Sequence, residues 1–151
     1  MQEKFAELGL DIPEMNPPVA NYVPYIVHNN LVYVSGQPPV LDGKVTHSGK
    51  VGKDCTLEEG REAARVCCIN IIAALQHAID GDWSRFDRII KVGGFVNCDD
   101  YFTEHPKVIN GASDLLVEIF GERGRHSRFA VGSNSLPMNI AVEIDAIIAL
   151  K

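Results

Sequence analysis

Positive charge is scarce in this chain: 14 lysines and arginines face 20 aspartates and glutamates, a formal net charge of −6 over 151 residues. The basic residues are scattered singly, so no extended positive surface exists for a phosphate backbone, and nucleic acid is disfavoured as a primary partner. No apolar run approaches the roughly 18 residues of a membrane span, and Met1-Gln2-Glu3-Lys4-Phe5 lacks the basic and apolar regions of a signal peptide. A soluble cytoplasmic protein without membrane contact is the expectation. Cys55, Cys67, Cys68 and Cys98 show neither CxxC spacing nor a secreted framework, and read as small buried thiols. His28, His47, His77, His105 and His126 never stand at i, i+4 or beside a carboxylate pair, so no metal site is signalled. A Gly-rich phosphate loop, a Ser-His-Asp arrangement and a Cys-His pair are also missing, and no cofactor is expected.

What is present fits one core. Residues 1–20 hold Phe5, Leu8 and Leu10 at helical spacing and then break at Pro13, Pro17 and Pro18, which predicts a short helix and an extended arm on the surface. Residues 21–151 read as a single domain. Tyr22 to Val27 and Leu31 to Ser35 form a hairpin signal around His28-Asn29-Asn30, ending in the polar corner Ser35-Gly36-Gln37. Turn chemistry at Leu41-Asp42-Gly43 punctuates a loop to Gly52, with a short strand over Lys44 to Thr46. Thr56-Leu57-Glu58-Glu59 is a capping box opening a long helix to about Asp80, stopped by Gly81. Its wide apolar stripe, Ala63, Ala64, Cys67, Ile71, Ala74, Leu75 and Ala78, must lie against a sheet. A strand over Arg88 to Asn97 carries the pair Gly93-Gly94, a sign of a bulge or a close backbone approach. A second helix follows to Phe120, with Pro106 in its first turn and Val108, Ala112, Leu115, Leu116 and Ile119 facing the core. A closing hairpin joins the Arg128 strand to a strand over Ile140 to Leu150.

This order predicts an α+β fold, a mixed β-sheet with two long helices on one face. The last strand is partly apolar on both sides, so the helix-free sheet face is expected to be buried between subunits.

Arg128 is the residue the chain is organised around. Alternation places it with Ala130 and Gly132, so a methyl and a hydrogen leave space beside its guanidinium for water, a second chain or a small anion. One reading makes it structural, bonded to Glu143 or Asp145 on the neighbouring strand; the other has its planar fork grip a carboxylate ligand. Glu143 is then a salt-bridge partner, or a base beside the ligand. Two like-facing carboxylates, Glu143 and Asp145, would raise each other's pKa if close. His126 is read as a surface-loop histidine, and Tyr22, Tyr25 and Tyr33 as half-buried strand aromatics.

Pro24-Tyr25, Val34-Ser35-Gly36-Gln37, Phe95-Val96 with Tyr101-Phe102, Ser127-Arg128, Leu136-Pro137 and Val142-Glu143-Ile144-Asp145-Ala146-Ile147 occur in an order that resembles the Rid family, also called YjgF or L-PSP. The resemblance spans residues about 20 to 150. It implies a chorismate-mutase-like fold and a homotrimer with an inner sheet barrel and ligand clefts between subunits. It also implies cofactor-free hydrolysis of reactive enamines and imines, such as 2-aminoacrylate, to 2-keto acids and ammonia. Arg128 matches the arginine of the family's Pro-Ala-Arg-Ser motif, which holds the substrate carboxylate, and Ala130 the residue whose backbone amide supplements that grip. Glu143 matches the acid that orients the attacking water, Ser35 the serine of the Ser-Gly-Gln corner with Gly36 beside it, and Tyr25 the tyrosine of Gly-Pro-Tyr. The chain departs from the pattern at His126-Ser127-Arg128-Phe129 and in a shortened segment between Tyr25 and Ser35, so Tyr22 competes with Tyr25. The alternatives are a carboxylate-binding trimer without catalysis, or the endoribonuclease and translation-inhibitor activity with which the family is often labelled.

Overall fold

The computed structural model describes residues 1–15 and 20–151. Pro17 and Pro18, two of the three predicted breaks in the arm, lie outside the described residues. Helix α1 (Gln2–Glu7) is as short as its spacing predicts, but it is anchored rather than laid on the surface. Phe5 is 2% exposed and meets Trp83 edge to face at 5.5 Å.

Strands β1 (Tyr25–His28) and β2 (Leu31–Gln37) form the expected hairpin, with Asn29 and Asn30 at φ 50° and 59° in the left-handed turn. Asp42 and Gly43 turn a two-stranded ribbon, β3 (Val40–Leu41) and β4 (Lys44–Val45). Helix α2 (Leu57–Ala78) is capped by Thr56, whose Oγ1 accepts from the Glu59 N–H at 3.1 Å, one half of the predicted box. All seven residues of its predicted stripe are buried, and Val66, Cys68, Ile69 and Ile72 join them. Helix α3 (His105–Phe120) starts with Pro106 in its first turn and ends at Gly121. Its five predicted core residues are buried against α2 and the sheet.

The sheet runs β1-β2-β7-β5-β6, with β5 (Phe86–Asn97), β6 (Ser127–Ser133) and β7 (Val142–Leu150), and both long helices cover one face. The closing hairpin does not form. β6 pairs parallel to β5, from Lys91 with Ser127 to Asn97 with Ser133, and β5 separates it from β7. A parallel neighbour needs a crossover, which α3 supplies; the short link from β6 to β7 then steps over β5 instead of folding back. Gly93 and Gly94 mark close approach on both faces. A Cβ on Gly93 would meet Phe129 Cζ at 2.5 Å and the Asp145 carboxylate, and one on Gly94 would lie 2.6 Å from Ile109 of α3.

Toward the helices the strands present Val32, Val34, Val92, Val96, Val142, Ile144, Ala146 and Ile148, all buried. Among the described residues no helix lies over the opposite face. Tyr33, Phe95 and Val131 stand 42%, 38% and 42% exposed there, and Phe95 meets Phe129 edge to face at 5.3 Å. No helix among the described residues is long and apolar enough to cross a membrane.

Candidate functional site

Arg128 faces the helix layer from edge strand β6, opposite Val92. Its Nη1 donates to Asn110 Oδ1 at 2.8 Å and to Ser113 Oγ at 3.1 Å, both on α3. The expected salt bridge to Glu143 or Asp145 is absent, because β7 is not the neighbour of β6 and both acids point from the other face of the sheet. The empty space beside the guanidinium is filled by two neutral side chains, and among the described residues no carboxylate pairs with Arg128. A surface depression of about 230 Å³ opens there, lined by Ser113, Val117, Arg125, His126 and Arg128. Ala130 follows on the same strand face, half-buried and opposite Gly94.

Glu143 lies on the open face of β7, half-buried beside the Ser35-Gly36 corner. A Cβ on Gly36 would stand 3.1 Å from Glu143 Cδ, so the missing side chain is what lets this carboxyl lie against β2. Ser35 Oγ donates to the Val23 carbonyl at 2.7 Å, which ties the start of the hairpin to the corner. Burial pushes the Glu143 carboxyl above its ordinary 4.5, and the charge of Asp145 adds to the rise. Asp145→Asn is therefore expected to lower the Glu143 midpoint in a carboxyl ¹³C NMR titration, yet leave it above 4.5, since burial is the larger cause. The native state holds this proton above pH 4.5 when the unfolded chain has lost it, so Glu143 weakens the fold as pH rises through its native pKa. Removing the Asp145 charge relieves part of that loss.

Tyr25 belongs to neither group. Its hydroxyl meets His77 Nδ1 of α2 at 2.7 Å, and burial with the Asp80 charge pushes its pKa up. Tyr22 is not a half-buried strand aromatic: it precedes β1, which starts only at Tyr25, and stands 56% exposed. The chain thus brings Ser35, Gly36 and Glu143 together on the open face, sets Arg128 and Ala130 on the helix side of β6, and holds Tyr25 at the far edge against α2.

Several partners escape a reading of the sequence. His126 is not a surface-loop histidine: it is half-buried, with Nε2 at 2.9 Å from Ser113 Oγ and Nδ1 at 2.6 Å from the Gly124 carbonyl. A Cys-His pair also exists, Cys98 Sγ lying 3.4 Å from His105 Nε2, with burial raising the thiol pKa. Asn110 and Ser113 stand at i, i+3 on the flank of the α3 stripe, and that spacing is the one sequence signal for the groups that hold Arg128. Lys50 spans a junction, its ammonium reaching Asn97 Oδ1 at 3.4 Å and the carbonyls of Cys98 and Asn134. Among the described residues no cluster of three His, Cys, Asp or Glu side chains could hold a metal ion.

Five strands in this order, two helices on one face and a bare apolar face opposite define a chorismate-mutase-like α+β protein. Residues 2–148 match the family model described as "YjgF/chorismate mutase-like, putative endoribonuclease". The chain belongs to that family, the YjgF or Rid family. It is 42% identical to Protein TCP17 of Trypanosoma cruzi over 145 residues, 95% of this chain and 90% of that protein. Among solved structures it resembles Atu1372, of unknown function, from Agrobacterium tumefaciens, at 45% identity and a TM-score of 0.93, covering 99% of this chain and 91% of that one. A Shewanella oneidensis protein described as "a putative endoribonuclease" matches at 38% identity and a TM-score of 0.93, over 99% of this chain and 98% of that one.

Proposed function

We propose that the protein is a homotrimeric, cofactor-free deaminase that hydrolyses small imines and enamines bearing a carboxylate to 2-keto acids and ammonia. The observation that carries this reading is Arg128, a half-buried guanidinium at the mouth of a depression with only neutral groups on Nη1. A planar fork free of internal carboxylates suits a carboxylate ligand. The imine carbon beside that carboxylate is already electrophilic. Holding it still and placing a water near it supplies orientation, and a carboxyl with a raised pKa can exchange the proton.

Arg128 and Glu143 lie on opposite faces of one protomer, so they serve one ligand only across an interface. A trimer that buries the open face against the β6 edge of its neighbour brings one protomer's Arg128 toward the next one's Glu143, and covers Tyr33, Phe95 and Val131. The same separation favours a second reading, a trimer that binds carboxylates without chemistry.

The test is ammonia and keto-acid release from enzymatically generated 2-aminoacrylate, measured for Arg128→Ala, Glu143→Gln and an unfolded-and-refolded mixture of the two. With a site shared between protomers, about a quarter of the clefts in an equimolar mixture are intact, and activity returns to about that fraction of wild type. Two inactive variants that stay inactive when mixed would place the site within one chain. Wild type no faster than the spontaneous reaction, yet stabilised against heat by pyruvate, would establish the binding reading.

A further inference from the structure

The crossover from β5 through α3 to β6 brings together two side chains to which the deaminase reading gives no chemical step, Ser113 serving there only to hold Arg128. Ser113 lies mid-helix, His126 one residue before β6, and Ser113 Oγ is 2.9 Å from His126 Nε2. His126 Nδ1 is 2.6 Å from the Gly124 carbonyl oxygen. A carbonyl can only accept, so Nδ1 carries the proton and Nε2 of the neutral ring presents its lone pair. The Ser113 hydroxyl must then donate to Nε2. From the other side Arg128 Nη1 donates to the same oxygen at 3.1 Å. The hydroxyl is thereby polarised twice, by a base placed to take its proton and by a cation placed to stabilise the alkoxide. Nucleophile, base and a third group orienting the base are the parts of an activated serine, here with a backbone carbonyl as the orienter.

The surroundings agree. Burial pushes the His126 pKa down, the Gly124 hydrogen bond opposes it more weakly, and the Arg128 charge acts with burial. Among the described residues Glu122 is the one acid that pairs with the cluster, and it is held by Arg125 Nε at 2.9 Å. Ser113 and His126 both line the depression of about 230 Å³, together with Arg125, Arg128 and Val117.

We propose that Ser113 is a nucleophile activated by His126, serving hydrolysis of small esters whose acyl half carries a carboxylate recognised by Arg125 and Arg128. Ser113 Oγ attacks the ester carbonyl carbon while its proton passes to His126 Nε2. The bond to the leaving alcohol breaks as Nε2 returns that proton to the departing oxygen. Water then attacks the acyl carbon and gives a proton to Nε2. The bond to Oγ breaks, and the proton restores the Ser113 hydroxyl. One ester and one water yield one acid and one alcohol, with no other reactant. This activity does not depend on the imine chemistry proposed above.

A brace that merely positions Arg128 would leave Ser113 inert toward acylating and phosphonylating reagents, and this separates the two roles. The purified full chain is incubated with a fluorophosphonate probe, and the adduct is located by intact mass and peptide mapping. The expected result is one adduct on Ser113, formed faster as pH rises through the His126 titration and slowed about 100-fold in His126→Gln. Ser113→Ala, checked for an unchanged far-UV spectrum and melting point, should take no label. In parallel, wild type should hydrolyse the 4-nitrophenyl monoester of succinate faster than 4-nitrophenyl acetate. Absence of an adduct, labelling indifferent to His126→Gln, or a long-range ¹H–¹⁵N spectrum with the His126 proton on Nε2 would each overturn the proposal. Ammonia release from 2-aminoacrylate is read separately, so the loss of one activity does not count against the other.

Discussion

Arg128→Ala is expected to lower the rate of ammonia release from 2-aminoacrylate by about 100-fold or more while moving the melting temperature only a few degrees. A bidentate, charge-assisted grip on a carboxylate contributes about 3 kcal/mol when it is lost whole, and each 1.4 kcal/mol is a factor of ten in rate. The structural share of Arg128 is far smaller. Its internal bonds run to two neutral, half-buried groups, Asn110 and Ser113, that water can satisfy once the guanidinium is gone. A charged donor can make such a bond worth about 1.5–3 kcal/mol, but water replaces both when the guanidinium goes, so the net loss stays well below that. Arg128→Lys keeps the charge but loses the planar fork, so a loss nearer tenfold is expected. Steady-state ammonia assays with circular-dichroism melts on the three proteins check this. Turnover unchanged in Arg128→Ala would remove the residue from the mechanism, and turnover lost only in step with melting would make it structural.

The difference between what the sequence of this chain discloses and what it conceals is physical. Alternation and the 3.6-residue period report which side of an element is apolar, so the α2 stripe, the α3 core face and the bare face of the sheet are legible residue by residue. They do not report which strand lies next to which. Phe129 and Val131 alternate with Arg128 and Ala130 in the same way whether β6 folds back on β7 or runs parallel to β5. The hairpin expectation therefore fails, and with it the Arg128 to Glu143 salt bridge. The space beside Arg128 is legible from Ala130 and Gly132. Its occupants, Asn110 and Ser113, come from another element and meet it only through the crossover. The Ser113 and His126 pair and the Cys98 and His105 pair are concealed for the same reason. Tyr25 is a further case: its β-strand environment is readable, but its hydrogen bond to His77 depends on where α2 ends against the edge of the sheet.

Gly111→Ala is expected to cost about 3 kcal/mol of stability, from the middle of a helix where alanine would ordinarily help. Alanine gains about 1 kcal/mol over glycine in an unhindered helix interior. Here the added Cβ would run into the carbonyl oxygen of Arg61 on α2, with the Arg61 carbonyl carbon at 2.9 Å and its Cγ at 3.1 Å. The obstacle is backbone, so no rotamer change relieves it and the two helices must part. Overpacking a well-filled site costs about 1–3 kcal/mol where side chains can move, and more where they cannot. The cross-helix pairs Arg61–Asp114 and Arg65–Glu118 sit at 2.7 Å and 4.0 Å on the exposed side of this contact. They contribute at most about 1 kcal/mol each and cannot hold the helices together. For a domain of this size the loss corresponds to a fall of about 6–12 °C in melting temperature. Gly121→Ala is the control, since nothing lies within 4 Å of its Cβ position and only backbone strain, from φ 60° and ψ −134°, resists; about 1–3 kcal/mol is expected there. Gly111 also stands between Asn110 and Ser113, so parting α2 from α3 displaces the groups that hold Arg128. Below its melting point the Gly111→Ala protein should therefore lose ammonia release several-fold, whereas Gly121→Ala should keep it. A variant with an unchanged melting point would mean that α2 and α3 do not meet backbone to backbone at Gly111. Lost stability with intact turnover would mean that the α3 brace does not set the geometry of Arg128.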